Sequence, residues 1–277
     1  MKIIITADTH FGITSVQSLE KMAKQIAVQE PDAIIIAGDI AESLSGPKKF
    51  SKCLKLFRRF INCPILIILG NHDLYAHGDA PHNSLQLWET ILKNKAKKID
   101  DIIWLEDDNY IIDDVAIVGS YLHYDYSVKC KMGPTSGLTP AFFIHNKPEV
   151  IADGKFHHGL PSDIAFSRQI GEAFKFRLQV AQENPIVKHI IVATHVPCLD
   201  SLVTYKNQDY SWAICTPYFG NITYEKDILK CSKVEHVVSA HSHQGYYHKI
   251  QRNGMNSVNA HCLDSDYYYP TFLTIEV

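Results

Sequence analysis

The chain has 277 residues, 46% apolar and 21% charged, with a formal net charge of −3 and a pI near 6.6. That length can bury a large core, but no Lys/Arg block exceeds three residues, so no grip on duplex nucleic acid is expected. Seven scattered cysteines without a C-x-x-C point to reduced thiols and a cytoplasmic location, and neither a signal peptide nor a membrane span of ~20 apolar residues is expected.

The apolar runs are short and rich in β-branched residues. IIIT (3–6), AIIIA (33–37), ILIIL (65–69), VAIV (115–118), HIIVA (189–193) and VEHVVS (234–239) are predicted strands, buried on both faces because their apolar runs are continuous. Between them lie helical periodicities. Residues 16–29 place Leu19, Met22, Ala23 and Ile26 on one face, and 47–61 do the same with Phe50, Leu54, Phe57 and Ile61 behind a first-turn proline. Further helices are predicted at 82–94 and 161–183, the latter capped by Ser162 or Asp163. KNKAKK (93–98) reads as a solvated helix end. Three β segments, 245–251, 256–260 and 271–277, close the chain. The order is βαβαβα, a strand pair, then βαβ, which predicts an α/β fold with mixed sheets in one domain, 1–277. Two stretches, 120–160 and 199–222, give no periodicity and are too long for plain connections, so they are expected to cover a site.

Polar residues follow each buried run. Asp8 and His10 come after the first strand and Asp39 after the second. Asn71, His72 and Asp73 follow the third in GNHD, His195 stands after IIVAT, and His241 and His243 after VVSA. In α/β sheets the carboxyl ends of parallel strands share one edge, where ligands bind, so these residues should converge. D-x-H or G-D alone is weak; the ordered set D-x-H, G-D, G-N-H-D, H, H-x-H is specific. Carboxylate, amide oxygen and imidazole are donors for Mn, Fe or Zn class ions, and without cysteine the set does not suit a soft thiolate site. Seven donors exceed one tetrahedral ion and suit two ions sharing a carboxylate. Such a pair stabilises both oxygens of an in-line displacement and makes hydroxide available near neutral pH.

These five motifs resemble those of the calcineurin-like metallophosphoesterases, over most of the chain from Asp8 to His243. The resemblance implies two packed mixed β-sheets flanked by helices, a four-layer sandwich. It also implies two metal ions: Asp8, His10, Asp39 and His243 holding one, and Asn71, His195, His241 and again Asp39 holding the other. His72 would be the general acid that protonates the departing oxygen after attack by a metal-bridging hydroxide, with Glu42 orienting it. Two departures stand out. Ala240 replaces the usual glycine, and in GDIAESL Ser43 replaces the arginine with which the protein phosphatases of the family grip phosphate.

Outside the motifs, Tyr121 and His123 are candidates for the rim of the substrate pocket or for a packed or exposed loop. His77 and His82 read as exposed loop residues that could touch substrate, and His157 and His158 as surface. The aromatics Tyr205, Tyr210, Trp212, Tyr218 and Phe219 either cover the metals or pack their own loop, and Cys198 is expected as a buried filler. The function expected is hydrolysis of a small phosphoester. A phosphodiesterase or nuclease on the same site is the alternative, and a non-catalytic interaction scaffold the second one, disfavoured because every ligand position is filled.

Overall fold

The computed structural model describes residues 1–277, the side chain of Ser45 apart. One sheet has the order β11–β1–β2–β3–β4, formed by Phe272–Glu276, Lys2–Thr6, Ala33–Ala37, Ile65–Ile68 and Ile102–Trp104. The β1–β2, β2–β3 and β3–β4 pairs are parallel, and β11 closes the edge antiparallel to β1, with Ile4 opposite Thr274. The other sheet has the order β5–β6–β7–β8–β10–β9, formed by Tyr110–Ile112, Val115–Ser120, His189–Thr194, Val234–Ser239, Met255–Cys262 and Tyr246–Arg252. Its centre is parallel, and hairpins add β5 and β9 at the two edges.

Alternation along the strands creates the layers. Ile3 and Ile5, Ile35, Leu66 and Ile68 turn towards Val115, Ile117, Ile191, Ala193 and Val238, and these fully buried side chains fill the space between the sheets. The intervening residues, among them Ile4, Ile34, Ile36, Ile67, Val118 and Val192, join the cores under the helices. Helix Val16–Val28 buries the four residues its periodicity selects, Leu19, Met22, Ala23 and Ile26, and Ser15 caps it through Ser18 N. Helix Lys48–Arg58 buries Phe50, Leu54 and Phe57 as expected, with Cys53 and Leu56 beside them. Helix Asp163–Glu183, capped by the Ser162 side chain on Ala165 N, covers the second sheet through Phe166, Ile170, Phe174 and Leu178. The architecture is the helix–sheet–sheet–helix sandwich that the motif resemblance implied.

The two unassigned stretches contain local structure. Residues 120–160 carry helices Pro140–Val150 and Asp153–Phe156, and 199–222 carry helix Tyr210–Cys215 between short 3₁₀ turns. A small aromatic cluster of Tyr124, Tyr126, Phe143 and Tyr218 ties the two together, and Tyr218 Oη donates to Phe143 O at 2.7 Å. Helix Pro140–Val150 has no amphipathic stripe and buries only Phe143, so its pattern alone does not announce it. No helix among the described residues is long and apolar enough to cross a membrane.

Candidate metal centre and its cleft

The loops after β1, β2, β3, β7 and β8 meet at one edge of the sandwich. Among the described residues ten non-glycine side chains sit on backbone with positive φ, and Asp8, His10, Asp39, His241 and His243 are five of them. L-residues avoid this region, and its use at one spot marks a geometry that the surroundings enforce. Two glycines allow the loops to close. A Cβ on Gly38, at φ +91°, would enter the His195 ring, and one on Gly70 would collide with Asp39 and His195. Asp73, the last residue of GNHD, is spent on the scaffold: its carboxylate accepts from Ile40 N, Ala41 N and Gly70 N at 2.8–3.1 Å and fixes the β2 loop to the β3 loop.

Donor atoms of Asp8, His10 and His243 lie within 4.8 Å of one another, as do those of Asp39, His195 and His241. Asp39 stands between the two groups. Its Oδ2 is 3.7 Å from His10 Nε2 and its Oδ1 3.4 Å from His195 Nε2. Asn71 Oδ1 lies 3.1 Å from the same His195 nitrogen. Three of the histidines are oriented from outside. His195 Nδ1 donates to Ala37 O at 3.0 Å, His243 Nδ1 to Ser265 O at 2.7 Å, and His241 Nε2 to Tyr218 O at 3.1 Å. A carbonyl can only accept, so these contacts fix the tautomers and leave His195 Nε2, His243 Nε2 and His241 Nδ1 as the lone-pair nitrogens.

The set fits cations. Asp8 Oδ1 and both ring nitrogens of His10 are buried without any hydrogen-bond partner among the described residues. Leaving such atoms unpaired costs ~1–3 kcal/mol each, more for a charged group, and a cation between them removes that penalty. Burial pushes the His10 imidazole well below its usual range, which keeps it in the neutral form a metal requires, and raises the Asp8 carboxyl. Burial alone would raise Asp39 too, but the imidazoles of His195 and His72 reverse this and hold it well below the usual carboxylate range.

His72 stands beside this cluster. Its Nδ1 donates to Glu42 Oε2 at 2.8 Å and its backbone N–H to Asp39 Oδ1 at 2.8 Å. Its Nε2 faces the cleft, 3.4 Å from the Tyr267 hydroxyl and 4.0 Å from Asp39 Oδ2. His10, Asp39 and His72 therefore form a third grouping of close donors. Burial would lower the His72 imidazole, but Asp39 and the hydrogen-bonded Glu42 outweigh it and lift it to about 9 in the metal-free chain. Cations beside Asp39 act in the opposite sense.

A cavity of about 220 Å³ opens over these residues, walled by Asp39, Asn71, His72, His241 and His243 below. Ile151 to Asp153, Tyr218, Phe219, Tyr75 and Tyr267 complete it. Both long stretches thus reach the site. Tyr218 and Phe219 line the cavity, and Trp212 packs behind Phe219 at 5.1 Å between ring centroids. Tyr205 instead bonds Asp200, and Tyr210 is exposed.

A family model for calcineurin-like phosphoesterases matches residues 1–245. The chain belongs to this family. This phosphoesterase is a metal-binding phosphoric ester hydrolase, and the His/Asp groups at its strand ends could hold the metal. Among solved structures, a phosphopantetheinyl hydrolase from Mycobacterium tuberculosis superposes with TM-score 0.65 at 18% identity, over 97% of this chain and 90% of that one. A dimetal phosphatase from Danio rerio gives TM-score 0.57 at 14% identity, over 99% and 91%. A purple acid phosphatase from yellow lupin gives 0.53 at 11%, over 95% of this chain but 44% of its own. No curated protein matches the phosphoesterase in sequence.

Not every expectation about the phosphoesterase's side chains holds. Tyr121 and His123 do not reach a pocket rim; both are fully buried, Tyr121 Oη lies 2.9 Å from His123 Nδ1, and His123 Nε2 donates to Asp163 at 2.8 Å. His157 is not a surface residue. Its side chain is 3% exposed, Nε2 donates to Asn71 O at 3.1 Å, and burial pushes the imidazole down to about 4. His158 is half-buried, with its N–H on Ser84 Oγ at 2.9 Å. Cys198 is a fully buried core residue, as expected.

The sequence reading missed Asp153, Tyr75 and Tyr267. Asp153 Oδ1 accepts from Asn71 Nδ2 at 2.9 Å and from Tyr75 Oη at 2.6 Å, and Oδ2 from Tyr124 Oη at 2.9 Å. That contact sets which way the Asn71 amide faces, with the nitrogen towards Asp153 and the oxygen towards His195. One signal was available: Asp153 stands four residues before His157, the spacing of neighbours on a helix face. Tyr75 lies two residues beyond GNHD, and its ring packs at 4.4 Å on His72. Tyr267 arrives from the loop before β11, and no local pattern marks it.

Proposed function

We propose that this phosphoesterase hydrolyses small phosphoesters at a site for two divalent or trivalent ions of the Mn, Fe or Zn class. Asp8, His10, Asp39 and His243 would hold one ion, and Asn71, His195, His241 and again Asp39 the other. When bound, such a pair neutralises charge on the phosphoryl oxygens and makes hydroxide available near neutral pH. The supporting observation is the placement of Asp39 between two donor groups, in one of which Asp8 Oδ1 and both ring nitrogens of His10 are buried and unpartnered among the described residues.

The chain's own residues supply the rest. Glu42 holds the His72 ring through Nδ1, so Nε2 is turned to the cleft and delivers its proton to the departing oxygen as the P–O bond breaks. Asp153 holds the Asn71 amide with its oxygen inward. Tyr218, Phe219 and the 151–153 turn roof the cavity and limit water at the reacting phosphorus.

A small substrate suits a cleft of about 220 Å³, and no Lys or Arg is among the residues that line it. The net charge of −3 also disfavours the non-specific phosphate attraction on which duplex binding depends. Ser43, in the place of the phosphate-gripping arginine, is buried and uncharged, which speaks against phosphoproteins. The seven thiols are unpaired, which supports a reducing compartment such as the cytoplasm. Rates on small phosphomonoesters and diesters, phosphopeptides and duplex DNA, with Mn, Fe, Zn and Ni in turn, test the reading. The best small ester should lead in kcat/KM; efficient cleavage of duplex DNA with sluggish small-ester turnover would overturn it in favour of a nuclease.

A further inference from the structure

A second cavity, of about 400 Å³, is walled in part by the segments that follow Glu42 and His72 in the chain. Ser43 and Leu44 of its wall come directly after Glu42, and Tyr75 and Ala76 stand three and four residues beyond His72. Tyr75 lines both cavities. Its hydroxyl bonds Asp153 and Asn71 on the metal side, while its ring packs on His72 at 4.4 Å. Pro47 and Leu87 complete an apolar surface. His77 and His82, which the sequence leaves as loop histidines, line it as well.

The chemistry of the wall restricts the occupant. Asp79 is the only formally charged side chain among the residues lining this cavity, and none is Lys or Arg. A phosphate, a nucleotide tail or another anion has no countercharge there. An uncharged apolar group does well, at roughly 25 cal/mol for each Å² of apolar surface removed from water. Two imidazoles can hydrogen-bond a hydroxyl or carbonyl on it. In-line displacement places the departing oxygen beside the group that protonates it. An alcohol leaving past His72 meets Tyr75, whose ring packs on His72 and which also walls this cavity.

We propose that the cavity bounded by Leu44, Pro47, Tyr75, Ala76 and Leu87 is the leaving-group subsite, and that it selects esters of bulky, uncharged, apolar or aromatic alcohols. This rests on the phosphoesterase reading of the metal edge. The P–O bond to the alcohol breaks, the alcohol oxygen takes the His72 proton, and water supplies the new oxygen on phosphorus. The alcohol's carbon skeleton stays in the subsite until release.

Filling the cavity tests this without touching the reacting groups. Ala80, half-buried in a turn at its wall, is replaced in Ala80→Trp, and Leu44→Trp fills it from the opposite segment. The metal-loaded full chain is assayed on 1-naphthyl phosphate and on glycerol phosphate, whose alcohol is small and polar. A lost apolar subsite contact is worth ~10–200-fold in discrimination, so kcat/KM on the naphthyl ester should fall at least tenfold in both variants while glycerol phosphate turnover stays near wild type. A parallel loss on both esters, or no change on either, overturns the subsite. Binding of free 1-naphthol to the full chain, followed by its fluorescence, separates the two readings. Saturable binding that both tryptophan variants abolish supports the subsite even where no ester is turned over, and that last result would count against the phosphoesterase reading alone. Absence of saturable naphthol binding to the wild type contradicts the subsite.

Discussion

The strand-end loops and the inserted segments contribute to the same cleft by opposite means. In the loops, each proposed ligand stands one to four residues past the end of a strand, and the sheet alone brings it to the common edge. In the inserts, Asp153 reaches Asn71 across 82 residues of chain and is held there by Tyr124 of its own insert and by Tyr75 from the loop after β3. The loops carry the atoms that would touch metal; the inserts carry the atoms that aim and enclose them. A donor set fixed by topology tolerates a variable cover, whereas the cover has no meaning without the set beneath it.

Substitutions on the two sides should therefore differ in size and kind. Asp39→Ala, at the junction of both donor groups, should abolish activity beyond the roughly 10–100-fold that loss of an outer partner costs, and should weaken binding at both metal positions. Metal titration with activity assays checks this, and an unchanged second site would break the shared-carboxylate assignment. His72→Ala should lose ~10²–10⁴-fold on esters of poor leaving groups and much less on nitrophenyl phosphate, whose phenolate needs no proton. Equal damage on every ester, or loss of metal, would make His72 a ligand instead, as its proximity to His10 and Asp39 would then explain.

On the insert side, Asp153→Ala should weaken metal affinity or activity by ~10–100-fold, because the Asn71 amide loses the partner that orients it. Asp153→Asn, which keeps one acceptor oxygen, should recover part of that. Calorimetric metal binding is the readout; unchanged affinity in the alanine variant would reduce the insert to a passive cover. The smallest effect is expected for Tyr124→Phe. It removes one O–H bond to the Asp153 carboxylate, worth ~1.5–3 kcal/mol, and should lower the denaturation midpoint with metal affinity intact, since Asn71 is held by the other carboxylate oxygen.

The sandwich and its donor edge were legible because their signals are local. Continuous β-branched runs mark buried strands, and the residues after them are read directly. The helices at 16–28 and 48–58 follow from their apolar stripes. The inserts were not legible. Pro140–Val150 buries one side chain and offers no period. Tyr121 and His123 follow strand β6 as the ligands follow theirs, yet both turn inward, Tyr121 to His123 and His123 to Asp163, a partner 40 residues away that no spacing announces. His157 reads as a surface residue when no acidic or cysteine partner is recognised at ligand spacing; Asp153, four residues earlier in the chain, and Asn71, across the fold, hold it buried. Tyr267 is delivered by the closing strand, which pairs with the first one 270 residues away.

Metal stoichiometry of the pure, reconstituted chain bears most directly on the central claim. At saturating Mn, Fe or Zn, elemental analysis should give two ions per chain in the wild type, with His243→Ala losing mainly one and Asp39→Ala impairing both. A wild type that never exceeds one ion per chain under saturating metal would contradict the paired site around Asp39.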